Sequence, residues 1–78
     1  MLKLKELALG DRAQISGFAE SSPAYRRKLL SMGLTLGAQF TVHRIAPLGD
    51  PVEIRLRGYA LSLRKDEADA LNLSRLAS

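Results

Sequence analysis

Residues 52–63 alternate more strictly than any other part of the chain. Val52, Ile54 and Leu56 fall on one side of an extended backbone, and Glu53, Arg55 and Arg57 fall on the other. Gly58 permits a reversal, after which Tyr59, Leu61 and Leu63 return to the apolar side. The segment therefore predicts a β-hairpin whose inward row is Val, Ile, Leu, Tyr, Leu, Leu.

The same period of two begins earlier, at Gln39. Phe40 and Val42 share a face, but Ile45 is out of step with them, which predicts a bulge or bend near His43-Arg44. Between this segment and the hairpin, Pro47-Leu48-Gly49-Asp50-Pro51 predicts a turn, because proline fixes φ and has no N–H to give to a ladder. Ala13, Gln14 and Ile15 predict another short strand, entered through a reversal at Gly10-Asp11, and residues 71–76 predict a last one.

Helical signals are confined to short stretches. Ser22 suits an N-cap, Pro23 the first helical position and Gly33 the left-handed position past the end, so a helix is expected from Pro23 to Met32. Tyr25, Leu29 and Met32 form its apolar stripe at i, i+4 and i+7, which is expected to face the core, while Arg27 and Lys28 point away. Leu4 and Leu7 fit a single opening turn. Residues 65–70 fit another, with Asp66, Glu67 and Asp69 near its positive end in a solvated role. The expected fold is mainly β, a small barrel of about five strands with one or two short helices, because closure removes edges that a small open sheet would expose.

At 78 residues the chain predicts a single domain over residues 1–78, with a core limited by its size. It has no cysteine and one histidine, so neither a disulfide framework nor a Cys/His zinc site is expected to supplement packing. No apolar stretch approaches the ~20 residues that span a bilayer, and residues 1–10 mix Lys and Glu with Leu instead of building a signal-peptide core. A cytoplasmic location without direct membrane insertion is the expectation.

The inventory for catalysis is poor. His43 stands alone and reads as a solvated strand residue, no thiol exists, and no glycine spacing makes a phosphate-binding loop. No catalytic residue, no cofactor and no metal ligand set is expected. Charge is more informative. Residues 21–44 carry +4 from Arg26, Arg27, Lys28 and Arg44 with no acid among them, while the last thirteen residues carry −2. Arg26, Arg27 and Lys28 lack an acidic neighbour at i±4, so they read either as a solvated face or as a face paired by something outside. Leu30, Met32 and Leu34 read either as core or as a docking patch rimmed by those cations. Nucleic acid is the rival partner, but Tyr25, Phe40 and Tyr59 are all assigned inward and would leave few rings for stacking.

The order of residues has a known counterpart. Leu4, Leu7, Gly10, Ala13 and Ile15, Tyr25-Arg26 with Leu29, Met32-Gly33-Leu34 with Gly37, the run Ala46 to Pro51, and Leu61 with Leu63-Arg64 closely resemble the FeoA family across essentially the whole chain. The resemblance implies an SH3-like barrel and a small cytosolic accessory of bacterial ferrous iron uptake. It also implies a partner, the inner-membrane iron permease, whose cytosolic portion includes a GTP-hydrolysing G-protein-like domain. The same barrel resembles the C-terminal domain of iron-dependent repressors, but without a helix-turn-helix ahead of the barrel in this sequence a complete repressor is not the expectation. Thr35-Leu36 stands where many family members have a proline before the glycine, which loosens that turn without removing it. The expected partner-binding residues are Tyr25, Arg26, Arg27, Leu30, Met32, Gly33 and Leu34, with self-association a further possibility and a small RNA- or DNA-binding barrel the alternative.

Overall fold

A computed structural model describes residues 2–20 and 23–76. A 3₁₀ turn, Leu4–Glu6, opens the chain, followed by β1 (Arg12–Phe18), α1 (Pro23–Ser31), β2 (Gln39–Ile45), β3 (Val52–Leu56), β4 (Tyr59–Leu63), α2 (Lys65–Asp69) and β5 (Leu71–Arg75). The strands form one antiparallel sheet in the order β4-β3-β2-β1-β5. The predicted elements are all present. The predicted helix ends one residue earlier, at Ser31, and its expected cap Ser22 lies outside the described residues.

Two irregularities bend the sheet around its own apolar face. One lies between Val42 and Arg44 in the β2–β3 ladder, where the sequence predicted a bulge, and the other between Ile15 and Gly17 in the β1–β5 ladder. Each inserts extra backbone on one strand, which increases local twist and curls the sheet. The enclosed core is built from Leu4, Ile15, Leu29, Leu34, Val42, Ile54, Leu63 and Leu71, all fully buried. The barrel is not closed by a ladder, since no pairing joins β4 to β5 among the described residues. α1 contributes to the core through Leu29 alone.

Side chains tie the opening turn and the loop before β3 to the rest of the fold. Glu6 Oε2 accepts from the Lys3 N–H at 2.6 Å, and Lys3 Nζ donates to the Asp69 carbonyl at 3.0 Å and to Asn72 Oδ1 at 2.6 Å, fixing the opening turn against α2 and β5. Asp50 Oδ1 accepts from the Lys65 N–H at 3.0 Å, which pins the loop before β3 to the start of α2. Among the described residues no helix is long and apolar enough to cross a membrane.

Candidate functional site

The expected docking residues lie on α1 and the turn that follows it, and the structure divides them. Leu34 is fully buried, so it leaves the candidate surface and joins the core. The cause is local: Gly33 adopts φ +94°, a conformation open to glycine, and this turns the chain so that the Leu34 N–H donates to the Leu29 carbonyl at 3.0 Å beneath the helix end. Met32 is half-buried against the core. Leu30 remains 37% exposed, Gly33 is exposed, and Leu36 just beyond is 64% exposed.

Tyr25 corrects the sequence expectation. It was assigned to the inward stripe, yet it is 36% exposed. Within α1 Leu29 is the residue that reaches the interior, and Tyr25, one turn nearer the start of the helix, lines a groove with Lys28, Arg64, Lys65, Asp66 and Glu67. Tyr59 is a second correction. The alternation placed it inward, but at the end of the sheet it is 43% exposed, and its hydroxyl donates to the Met32 carbonyl at 3.1 Å. Sequence reasoning missed Tyr59 as part of this surface, and nothing in the hairpin pattern marks its contact with the helix end.

The three cations also separate. Lys28 was read as lacking a partner near it in sequence, but its ammonium pairs with Glu67 on α2. Arg26 lies over the Phe18 ring, 5.4 Å from its centroid, so it is held by a cation–π contact within the chain. Arg27 is exposed and has no ion-pair partner among the described residues. Of the basic block on the helix, Arg27 is thus the member most available to an external acid.

Glu67 was expected to be solvated and is instead buried. Lys28 beside it, and the Arg64 N–H that donates to its Oε1 at 3.0 Å, hold its carboxyl below the ordinary glutamate range against the opposing effect of burial. Its position three residues after Arg64, where a glutamate reaches back to the N-cap N–H, is the sequence signal that could have revealed this role. The pair ties α1 to α2 and so fixes the angle at which the helix presents Arg27 and Leu30.

His43 is a strand residue, its Nε2 3.6 Å from Glu53 Oε2 and its side chain open to solvent. Among the described residues no three His, Cys, Asp or Glu side chains gather as metal ligands. On the outer face of the sheet, Arg12, Arg55 and Arg57 line an open groove of about 560 Å³ with Gln39, Thr41 and Phe40, the last of these buried.

Comparison with known proteins agrees with this geometry. The FeoA domain model matches residues 2–75. A Fe(2+) transport protein A/Fe(2+) transporter FeoB fusion protein of Porphyromonas gingivalis is 36% identical over 77 residues, which are 99% of this chain and 9% of that protein. The chain thus spans about a tenth of the length of that relative. The solution structure of the Chlorobium tepidum FeoA protein superposes with a TM-score of 0.84 at 45% identity, covering 97% of this chain and 71% of that one. The zinc-complexed FeoA of Stenotrophomonas maltophilia, a prokaryotic SH3 domain protein, shares the fold at 22% identity with a TM-score of 0.79, over 95% of this chain and 91% of that one. With five antiparallel strands, a helix end turned by Gly33 and a family match that runs nearly end to end, the chain belongs to the FeoA family.

Proposed function

We propose that the chain is a non-catalytic accessory of ferrous iron uptake that docks on the cytosolic part of the iron permease, G-protein-like region included, through the C-terminal end of α1. The observation that carries this reading is the P. gingivalis relative, in which the counterpart of this chain and an Fe(2+) transporter are one polypeptide. Fusion makes an encounter intramolecular and is useful where two modules work in contact. The docking surface in this proposal centres on Arg27, Leu30 and Gly33, flanked by Tyr25, Arg26, Met32 and Tyr59. An apolar centre with an arginine at its rim and tyrosines beside it suits a protein interface. Such docking would hold the chain at the inner face of the membrane without inserting it.

The test is co-purification of the chain with the intact permease, with and without guanine nucleotide, alongside Arg27→Glu combined with Leu30→Ser. Both side chains are exposed, so the variant is expected to fold. At least a tenfold loss of permease binding with a parallel fall in iron uptake is the expected result. Wild-type retention and uptake in that variant would remove the surface from consideration.

The groove bearing Arg12, Arg55 and Arg57 supports a second reading, nucleic-acid binding, and the exposure of Tyr25 and Tyr59 removes one argument against it. Among the described residues that line the groove the one ring is Phe40, which is buried and offers no stacking face. A mobility-shift titration with single-stranded RNA at two salt concentrations separates the readings, since phosphate contacts predict affinity that falls steeply with salt.

A further inference from the structure

The two edges of the sheet are treated differently. Along β5, Leu2 bridges Leu73, and the Leu73 N–H donates to the Leu2 carbonyl at 3.0 Å. Along β4, no main-chain group is engaged by anything but β3 among the described residues. The hairpin register fixes which groups are spare. Leu56 and Tyr59 close a two-residue connection and form a hydrogen-bonded pair, and such pairs alternate, so Ile54 with Leu61 and Val52 with Leu63 are bonded likewise. The N–H and C=O groups of Ala60 and Ser62 therefore point away from the sheet, and both residues are exposed.

Edges of this kind are normally blunted by a charge, a proline or a bulge. The strand Tyr59-Ala60-Leu61-Ser62-Leu63 has none of them, and its register with β3 is unbroken. Its flanks are cationic instead. From Ile54 to Lys65 the chain carries Arg55, Arg57, Arg64 and Lys65 and no acid.

That charge pattern decides between occupants. A second copy pairing antiparallel through the spare groups would set Ala60 against Ser62 and bring the Arg57 turn of each copy toward Arg64 and Lys65 of the other, just beyond each end of the new ladder. Like charges gathered at both ends in this way oppose such a dimer. An acidic strand meets the opposite situation. On the outer face Ala60 is small and lies opposite Arg55, so an acid on an added strand would stand about 10 Å from Arg55 by backbone spacing, within reach of two long side chains. On the inner face Leu61 is only half-buried, and an apolar residue beside it would complete its cover.

We infer that β4 is an acceptor edge on which an extended segment of the partner, alternating acidic and apolar residues, adds as a sixth strand. This rests on the docking function proposed above and names the second half of the same interface. Tyr59 begins β4 and its hydroxyl bonds the Met32 carbonyl, so the edge runs outward from the end of α1. Backbone pairing supplies affinity and the alternating side chains supply selectivity.

The experiment uses the whole chain and the intact, detergent-solubilised permease. Ala60→Pro removes an N–H that β3 does not use, and edge strands tolerate proline at such a position. Ala60→Ser keeps that N–H. Ala60→Pro is expected to weaken permease retention at least tenfold more than Ala60→Ser does. In the wild-type chain, amide exchange at Ala60 and Ser62 is expected to slow at least tenfold in the complex, a readout that holds even if the proline variant does not fold. Wild-type binding with unchanged exchange at both amides overturns the edge while leaving the docking function standing. No binding by the wild-type chain overturns both. Protection of both amides in the free chain, with a dimer by sedimentation that Ala60→Pro dissolves, assigns the edge to a second copy and overturns the inference.

Discussion

Gly33 carries two separate demands at one position. Its φ of +94° is a conformation that side-chain-bearing residues rarely adopt, and a Cβ built there would collide with the Tyr59 hydroxyl. Gly37, at φ +84°, has the first demand only, since a Cβ there meets nothing within 4 Å. The comparison separates backbone strain from crowding. Gly37→Ala should cost about 1–2 kcal/mol, the strain of a left-handed residue. Gly33→Ala should cost about 2–4 kcal/mol, because strain is joined by displacement of Tyr59 and loss of its bond to the Met32 carbonyl. Tyr59→Phe takes away the obstructing hydroxyl and alone should cost about 0.5–1 kcal/mol. The double variant should then be more stable than the sum of the single losses implies, as measured by denaturant unfolding. Strict additivity would mean that the hydroxyl is not what Gly33 accommodates.

At the scale of elements, α1 is held from two sides: Leu29 is sunk in the core and Lys28 is paired to Glu67 on α2. The second tie depends on pH. The folded carboxyl of Glu67 lies below its ordinary value, chiefly through Lys28 and next through the Arg64 N–H, so its contribution is complete above the unfolded glutamate pKa of about 4.3 and fades as pH falls through the folded value. Glu67→Gln should therefore lose about 1 kcal/mol at pH 7, with the gap from wild type closing below about pH 4. Asp11, lowered by the Ala8 N–H and by Arg75, titrates in the same acid range in both proteins and cancels in the difference. Denaturant midpoints taken between pH 3 and 7 would refute the assignment if the two curves stayed parallel. This tie also lies beyond what local sequence signals encode. The hairpin and the bulge at Val42 to Arg44 were legible because alternation and its interruption are local properties of the backbone. A helical stripe, by contrast, does not say how far the core extends beneath it, and so it puts Tyr25 inside. The sequence leaves Leu34 open between core and patch because its burial depends on how the turn at Gly33 meets the core, and the partner of Lys28 lies on another element altogether. The free edge at β4 depends on strand order, which alternation does not encode.

For the molecule as a whole, the fused relative turns the proposed docking into a quantitative expectation. A tether of suitable length gives an effective concentration on the order of millimolar. A separate chain must instead find its permease at its own cellular concentration. If the two associate with a Kd of about 1 μM, a hundredfold loss at the docking surface leaves a Kd of about 0.1 mM, still below what a tether supplies. Arg27→Glu with Leu30→Ser should accordingly depress iron uptake when the chain is expressed beside the permease. Joined to the permease by a flexible linker, the same variant should restore uptake to near the wild-type level. Uptake that stays depressed after fusion would assign Arg27 and Leu30 a part in what the permease does once the chain has bound, since proximity alone would then have failed to replace them. Under the inference drawn for β4, the edge at Ala60 and Ser62 would offer a second point of attachment in the same experiment: were both surfaces engaged together, losing one would be partly offset by the other even without a tether, and combining the helix variant with Ala60→Pro should lower uptake by more than either change does separately.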